Sequence, residues 1–416
     1  MSVQRHCNRT ATQAHSSRAG AFAIPLLLSC LHFSPSRLVA QQAPAPSVLT
    51  LRSLLDSVQA GHPMTSAAES RVRAARGSRV TAGTFGNPTL SYQVDDTPFP
   101  GGRPIAGVDR EAMTMVMIPL EPLFQRGPRS QRADADIRAA EADVQSMRQR
   151  IALDAARAYY RVALAEVSVA TARDLTAWLD SVVIYNRARV AEGVTSEADL
   201  IRSGLERDRA TADAAMQEAE LAQARAELST FLGSSGRARS ASLRVALDSA
   251  PLVLPALEYA EAVPASAARP DVRAARERLD AASAGIAAEQ RSIVRQLGAT
   301  IGTKQMAGTT SMIAGFALPI PLFDTNRGEI RRATAERDAA GYEVVNRERM
   351  AAAEVSGALE AARILTESTT RLSRGGDQSF LTRADEGRRI TLGAYREGAV
   401  PLLQVMDAAR AWGDAR

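Results

Sequence analysis

The stretch IPLEPLFQRGPRSQRADADIRAAEADV, residues 118–144, has a near echo in LPIPLFDTNRGEIRRATAERDAAGYEV, residues 318–344. In both, a strand-like run meets a turn bracketed by prolines, then a Phe, an Arg-Gly and a long alanine-rich helix. Ala133, Ala135, Ala139, Ala140 and Val144 answer Ala333, Ala335, Ala339, Ala340 and Val344 at a constant offset. Asp154 and Ala158 answer Glu354 and Ala358 at the same spacing. Upstream, HPMTSAAESRVRAAR (62–76) resembles RPDVRAARERLDAAS (269–283); downstream, RVAEGVTSEADL (189–200) pairs with AYREGAVPLLQV (394–405). Three anchors in one order mark a duplicated unit of about two hundred residues, too long for an ordinary solenoid repeat.

Each unit reads as helix, strand, strand, long helix, turn, helix. Leu90, Tyr92 and Val94 alternate with Ser91, Gln93 and Asp95, the period-two pattern of a strand wet on one face. A Pro/Gly loop follows, and REAMTMVMI (110–118) predicts a second strand with Met113, Met115 and Met117 on one face. LGATIGT (297–303) and SMIAGFAL (311–318) predict the corresponding pair, joined by KQMAG. Strands so short and rich in glycine suit a barrel with one face to lipid and one to water better than a soluble core.

From Arg129 to Gly193 no proline intervenes, and Ile137, Val144, Ile151, Ala158 and Ala165 recur by sevens, a coiled-coil seam. Such a helix would run for roughly 95 Å, longer than an ordinary globular domain. A second helix is expected over 196–233, an interruption over 234–268, and renewed helix from Pro270 to about Gln296. The two shorter helices can lie end to end beside the long one. Gly375 and Gly376 predict a kink in the second long helix, at a cost of about 1 kcal/mol per glycine.

The 416 residues are 45% hydrophobic but only 4% aromatic, which suits close-packed helices with small contacts rather than a thick aromatic core. The net charge of +5 is mild, with both signs interspersed, and no basic stripe of the nucleic-acid kind is present. The first forty residues read as an export signal. Arg5, Arg9 and Arg18 precede the apolar run 21–33, too short to span a bilayer, with a cleavage point after Ala40. LLSC (27–30) also loosely resembles a lipoprotein box with Cys30 as the lipidated residue, although Leu31 and Phe33 speak against it. Both cysteines, Cys7 and Cys30, lie in this leader, so a processed chain would hold no disulfide or cysteine-bound metal.

Two units give four strands, whose open edges lipid does not tolerate. Three chains would give twelve strands, within the known range of barrels, and twelve helical columns that can close into a tube.

NPTLSYQ (87–93), the two proline-bracketed stretches, RPDVRAA (269–275) and the two glycine-marked tips together resemble the outer membrane efflux proteins, the TolC-like family, from about residue 49 onward. The resemblance implies a fold that is mainly α with a small β part: long antiparallel helical hairpins, and four transmembrane strands per chain completing a trimeric 12-strand barrel. It implies a homotrimer in the lipid of the bacterial outer membrane that extends into the periplasm. This would be the passive exit duct of a tripartite efflux or secretion system. A periplasmic adaptor would couple it to an inner-membrane pump of RND or ABC type. The domains expected are a signal peptide at 1–40, a first repeat at 41–233, an equatorial connector at 234–268 and a second repeat at 269–416 with a short return helix. The strand-to-helix hand-over falls at Pro119, Pro122 and Phe124 in one unit and at Pro319, Pro321 and Phe323 in the other, where prolines would end strand pairing.

The tips map to the periplasmic, adaptor-contacting end: Gly193, Val194 and Ser196, and Gly398 and Pro401. Gly193 and Gly398 suit left-handed turn positions, Ser196 can cap the returning helix, and Asp199 favours its dipole. The family's entrance gate implies roles for Asp199, Tyr395 and Asp407. Val400 and Gln404 stand where an arginine and an acid would be, so the ionic part of that gate is thinner. Structural roles, Asp199 at a helix start and Tyr395 in packing, fit the same residues.

No serine-histidine-acid set, phosphate loop or metal-ligand spacing is visible, so neither enzyme activity, cofactor nor metal site is expected. His62 precedes Pro63 at a helix start, a structural position. The alternative to a duct is a periplasmic coiled-coil adaptor or scaffold. Adaptors carry a single hairpin, whereas this one is duplicated and interleaved with strand pairs.

Overall fold

The computed structural model describes residues 48–97, 100–103, 106–107, 109–233, 243–246, 259–293, 297–373 and 379–416. Four strands form one antiparallel sheet in the order β2–β3–β5–β6: β2 (Thr89–Asp95), β3 (Glu111–Pro119), β5 (Gly298–Met306) and β6 (Thr309–Ala317). Two further short strands, β1 (Val48–Leu49) and β4 (Arg244–Val245), pair in parallel elsewhere. The connection expected to be the five residues KQMAG is a two-residue turn. Ala307 (φ 47°) and Gly308 (φ 78°) both take positive φ, the geometry that matches the twist of a hairpin.

Register sorts the sheet into two faces. Val94, Tyr92 and Leu90 lie beside Ala112, Thr114 and Val116, then Gln305, Thr303 and Ile301, then Thr310, Met312 and Ala314. Ile118, Ala299 and Phe316 continue that face, which carries no charged residue. The opposite face holds Asp95, Gln93 and Ser91, then Glu111, Met113, Met115 and Met117, then Met306, Lys304, Gly302 and Thr300. Lys304, the only lysine of the sequence, pairs with Glu111 at 2.5 Å. Nine residues of β5 make roughly 30 Å of strand, enough to cross hydrocarbon at a tilt. Among the described residues no helix is long and apolar enough to cross a membrane.

Helices α1 (Leu51–Gly61) and α2 (Pro63–Gly83) precede the sheet. Helix α3 (Pro122–Ala191) has 70 residues, about 105 Å. It begins at Pro122 rather than at Arg129. A proline fits the first helical position because the N–H it lacks would have no partner there. Pro128 lies inside the helix, and the Phe124 carbonyl, left without its usual i+4 donor, accepts Arg291 Nη1 at 3.4 Å. The chain turns back into α4 (Glu197–Ser229), and after the interruption come α5 (Tyr259–Ala265), a 3-10 turn (Ser266–Ala268) and α6 (Pro270–Arg291). In the second unit α7 (Arg327–Ser373), α8 (Phe380–Arg396) and α9 (Leu402–Ala415) follow. The kink expected at Gly375 and Gly376 lies outside the described residues.

The seam predicted on α3 is buried at Val144, Ile151, Ala158 and Ala165, and half-buried at Ile137. Alanines at 155, 158, 163 and 165 let α4 approach closely, and Leu54, Leu228 and Val245 complete the largest core. The Tyr159 hydroxyl in this core donates to the backbone oxygens of Leu49 and Ala246, tying β1 and β4 to α3. Arginine–carboxylate rungs link neighbouring helices: Arg148–Glu69 (2.8 Å), Arg138–Glu277 (2.7 Å), Arg276–Glu348 (2.6 Å) and Arg173–Glu218 (2.6 Å). Exposed pairs of this kind add little stability each.

Candidate functional site

Two hairpin turns and two strand-to-helix junctions hold the residues singled out in the sequence. Gly193 (φ 71°) and Gly398 (φ 76°) end α3 and α8 in left-handed geometry. Both turns use one backbone pattern. Gly193 N–H donates to Val190 O and Val194 N–H to Arg189 O; Gly398 N–H donates to Tyr395 O and Ala399 N–H to Ala394 O. Ser196 caps α4, its hydroxyl accepting Asp199 N–H at 3.2 Å and donating to Asp199 Oδ2 at 3.0 Å. Pro401 precedes α9 in extended geometry without a side-chain cap, and Val194 is exposed at the first turn.

Behind the turns, the two hairpins meet through an aromatic clasp. Tyr395 is buried, and its hydroxyl donates to Asn186 Oδ1 at 2.6 Å. Tyr185 donates to the Arg396 carbonyl at 3.1 Å and meets the Tyr395 ring edge-on at 6.0 Å. Arg189 lies over both rings, 5.6 Å from Tyr185 and 5.7 Å from Tyr395. Burial pushes the Tyr395 phenol above its ordinary range, the Arg189 cation opposes this, and the Asp199 carboxylate adds to it. Asn186 is fully buried, and its Nδ2 finds no hydrogen-bond partner among the described residues. Leu179, Val182, Ala210, Leu402, Val405 and Met406 pack around the clasp.

Of the three gate candidates, Tyr395 and Asp199 share this neighbourhood. Asp407 stands apart: it is exposed and reaches Arg410 at 3.8 Å. Asn186, Arg189 and Tyr185 escaped the sequence reading because they sit on the incoming helix of the other repeat. Farther from the turns, Trp412 is buried, donates to Asp385 Oδ1 at 2.5 Å and carries Arg388 at 3.8 Å over its ring.

The two junctions differ although both carry the proline pair. In the first, pairing does not stop at Pro119: it faces Gly298 in the ladder, and Leu120 N–H still donates to Leu297 O at 2.7 Å. A proline at a strand end loses nothing by lacking a donor. The helix starts two residues later, at Pro122, and Phe124 is half exposed. In the second, Pro319, Pro321 and Phe323 lie in an irregular stretch between Ala317 and Arg327, and Phe323 is fully exposed. Asn326 (φ 57°), buried, anchors this stretch: its Nδ2 donates to Glu289 O and Ser292 Oγ, both at 2.7 Å. Among the described residues no group of three His, Cys, Asp or Glu stands close enough to hold a metal ion.

The model of the outer membrane efflux protein family matches residues 263–416. The cobalt-zinc-cadmium resistance protein CzcC of Cupriavidus metallidurans is 25% identical over 413 residues, covering 94% of this chain and 93% of that protein. The outer membrane protein VceC of Vibrio cholerae superposes with a TM-score of 0.71 at 19% identity, over 88% of this chain and 90% of VceC. The CmeC outer membrane channel of Campylobacter jejuni gives 0.72 at 13% identity, over 88% and 80%. Residues 263–416 thus match the outer membrane efflux protein family, and the chain shares the fold of solved outer membrane channels.

Proposed function

We propose that three copies of this chain close around a water-filled axis and serve as the passive exit duct of a tripartite efflux system. One observation carries this reading. The four-stranded sheet ends in β2 and β6, neither of which has an outer partner among the described residues, and one sheet face is uncharged while the other is polar. Unpaired strand edges cost several kcal/mol per group in lipid, so the edges need other strands. Successive strands alternate in direction, so β6 of one copy can meet β2 of the next as an antiparallel neighbour, and three copies close the ring.

On this reading the repeats 41–233 and 269–416 each give one strand pair and one helical hairpin, and the 234–268 connector lies at the equator. Pro119, Pro122 and Phe124, with Pro319, Pro321 and Phe323, mark where barrel becomes tunnel. The tip residues Gly193, Val194, Ser196, Gly398 and Pro401 meet a periplasmic adaptor, and an RND or ABC pump in the inner membrane supplies the energy. The clasp between hairpins supports a place for Tyr395 and Asp199 in the entrance gate. Asp407, exposed on α9, is the third residue assigned to that gate. CzcC carries cobalt, zinc and cadmium resistance in its name, and metal cations are therefore the cargo to test first.

The experiment is fractionation of the expressed chain, followed by planar-bilayer recording of the purified protein. Outer-membrane recovery with sustained ion conductance is expected. A soluble periplasmic protein without conductance would support the scaffold reading instead.

A further inference from the structure

The geometry points to a thioether ladder in the barrel lumen that binds soft monovalent cations, copper(I) or silver(I), in passing. The inference rests on the duct reading, because it requires the charged face of the sheet to be the wet one. Met113, Met115 and Met117 alternate along β3, and Met306 lies across from Glu111 on β5, all on that face. Successive positions on one strand face are about 7 Å apart. Four of the chain's 11 methionines thus share one face of one sheet, in the company of Asp95, Gln93, Ser91, Glu111 and Lys304.

Apolar filling does not account for them. Where this sheet needs apolar cover, on the uncharged face, it uses leucine, valine, isoleucine, alanine and phenylalanine with Met312 alone. The methionines of the polar face are not sealed in a core either: Met113 and Met115 are half-buried, and Met117 and Met306 are exposed. Their neighbours on β5 leave room for them. A Cβ on Gly302 would meet Met115 Cγ at 3.0 Å, and one on Gly298 would meet Met117 Cγ at 3.4 Å and Sδ at 3.5 Å. The thioethers therefore lie across a strand that glycine leaves bare.

Thioether sulfur is a soft, uncharged donor. It favours copper(I) and silver(I) over the harder zinc ion, and being neutral it holds them loosely. Asp95 and Glu111 stand side by side at the end of the sheet far from the helices, with Lys304 as the one cationic strand residue on that face among the described residues. Each copy thus adds one net negative charge to the lumen there, which draws cations toward that end. Spaced weak donors in an acidic pore suit hand-over from site to site, whereas a tight cage would stop the flow.

The test uses the full purified channel in a planar bilayer in chloride-free nitrate, with silver(I) as the probe and zinc(II) as the comparison. Micromolar silver(I) should reduce the current, and M113L/M115L/M117L should move the silver midpoint by about tenfold or more. M216L/M350L, outside the sheet, should behave as wild type. Independently of any variant, silver(I) should protect Met113, Met115, Met117 and Met306 of the wild-type channel from peroxide oxidation, read by peptide mass spectrometry, and leave Met216 and Met350 unprotected. Conductance with no silver response, an equal response to zinc, or uniform protection of all methionines would overturn the ladder alone. Absence of conductance would overturn the duct and the ladder together.

Discussion

Asn186 is the weak point of the clasp between hairpins. It is fully buried, accepts from Tyr395, and leaves its amide hydrogens without a partner among the described residues. Leaving one partner of a buried pair unsatisfied costs more than removing both. Tyr395→Phe should therefore lower stability by about 0.5–1.5 kcal/mol, and Tyr395→Phe with Asn186→Leu should recover most of that loss, as read by thermal unfolding. If this contact guards the entrance, single-channel recordings of Tyr395→Phe should also show longer openings. The phenol supplies a pH test. Burial raises its folded value above the ordinary value of about 10, so its contribution is fully present below that pH. Above it the unfolded chain ionises first, and stability falls as pH rises through the folded value. Wild type should lose stability in that alkaline range faster than Tyr395→Phe, in matched melting curves. Sequence alone revealed Gly193 and Gly398, because a glycine closing a long helical run has a local meaning. It did not reveal Asn186 or Arg189, since nothing on a continuous helix marks which polar side chain will meet a tyrosine two hundred residues away.

The strands were readable from their alternation, and the long helices from their alanine spacing, because both patterns are local. Their boundaries moved for physical reasons. β5 runs through Lys304–Met306 because Ala307 and Gly308 suffice for the turn. α3 starts early because Pro122 fits a first helical turn. The asymmetry of the junctions was hidden because the proline pair is repeated in both. What differs is the segment after the Phe: one residue separates Phe124 from Arg126, but three separate Phe323 from Arg327, and Asn326 turns the longer one back. Gly302 is where the sheet is most sensitive. A Cβ there would run into the Thr114 carbonyl oxygen and come within 2.8 Å of Met115 Cα, whereas one on Gly315 meets nothing. Gly302→Ala should disrupt the β3–β5 ladder and sharply lower the yield of assembled channel in the outer membrane. Gly315→Ala should leave that yield unchanged. The arginine–carboxylate rungs should be forgiving by comparison: Arg276→Ala should cost under about 1 kcal/mol in thermal unfolding, since its pair is half exposed.

For the molecule as a whole, one chain is an unfinished object. Among the described residues its sheet has two open edges, and its helices leave large apolar side chains such as Tyr342, Leu365, Leu164 and Ile184 at the surface. The duplication in the sequence already implied this, because two copies of a strand pair make a sheet that cannot close on itself. If copies close around an axis as proposed, their number is a property of the ring rather than of any segment. Phe316, Leu318, Ile320, Leu322 and Phe323, exposed together near the second junction, supply apolar surface where lipid or a neighbouring copy would lie. The most direct measurement is the mass of the detergent-solubilised, purified protein by native mass spectrometry. A single species of three chains is expected. A stable single chain with its four-stranded sheet intact would contradict it.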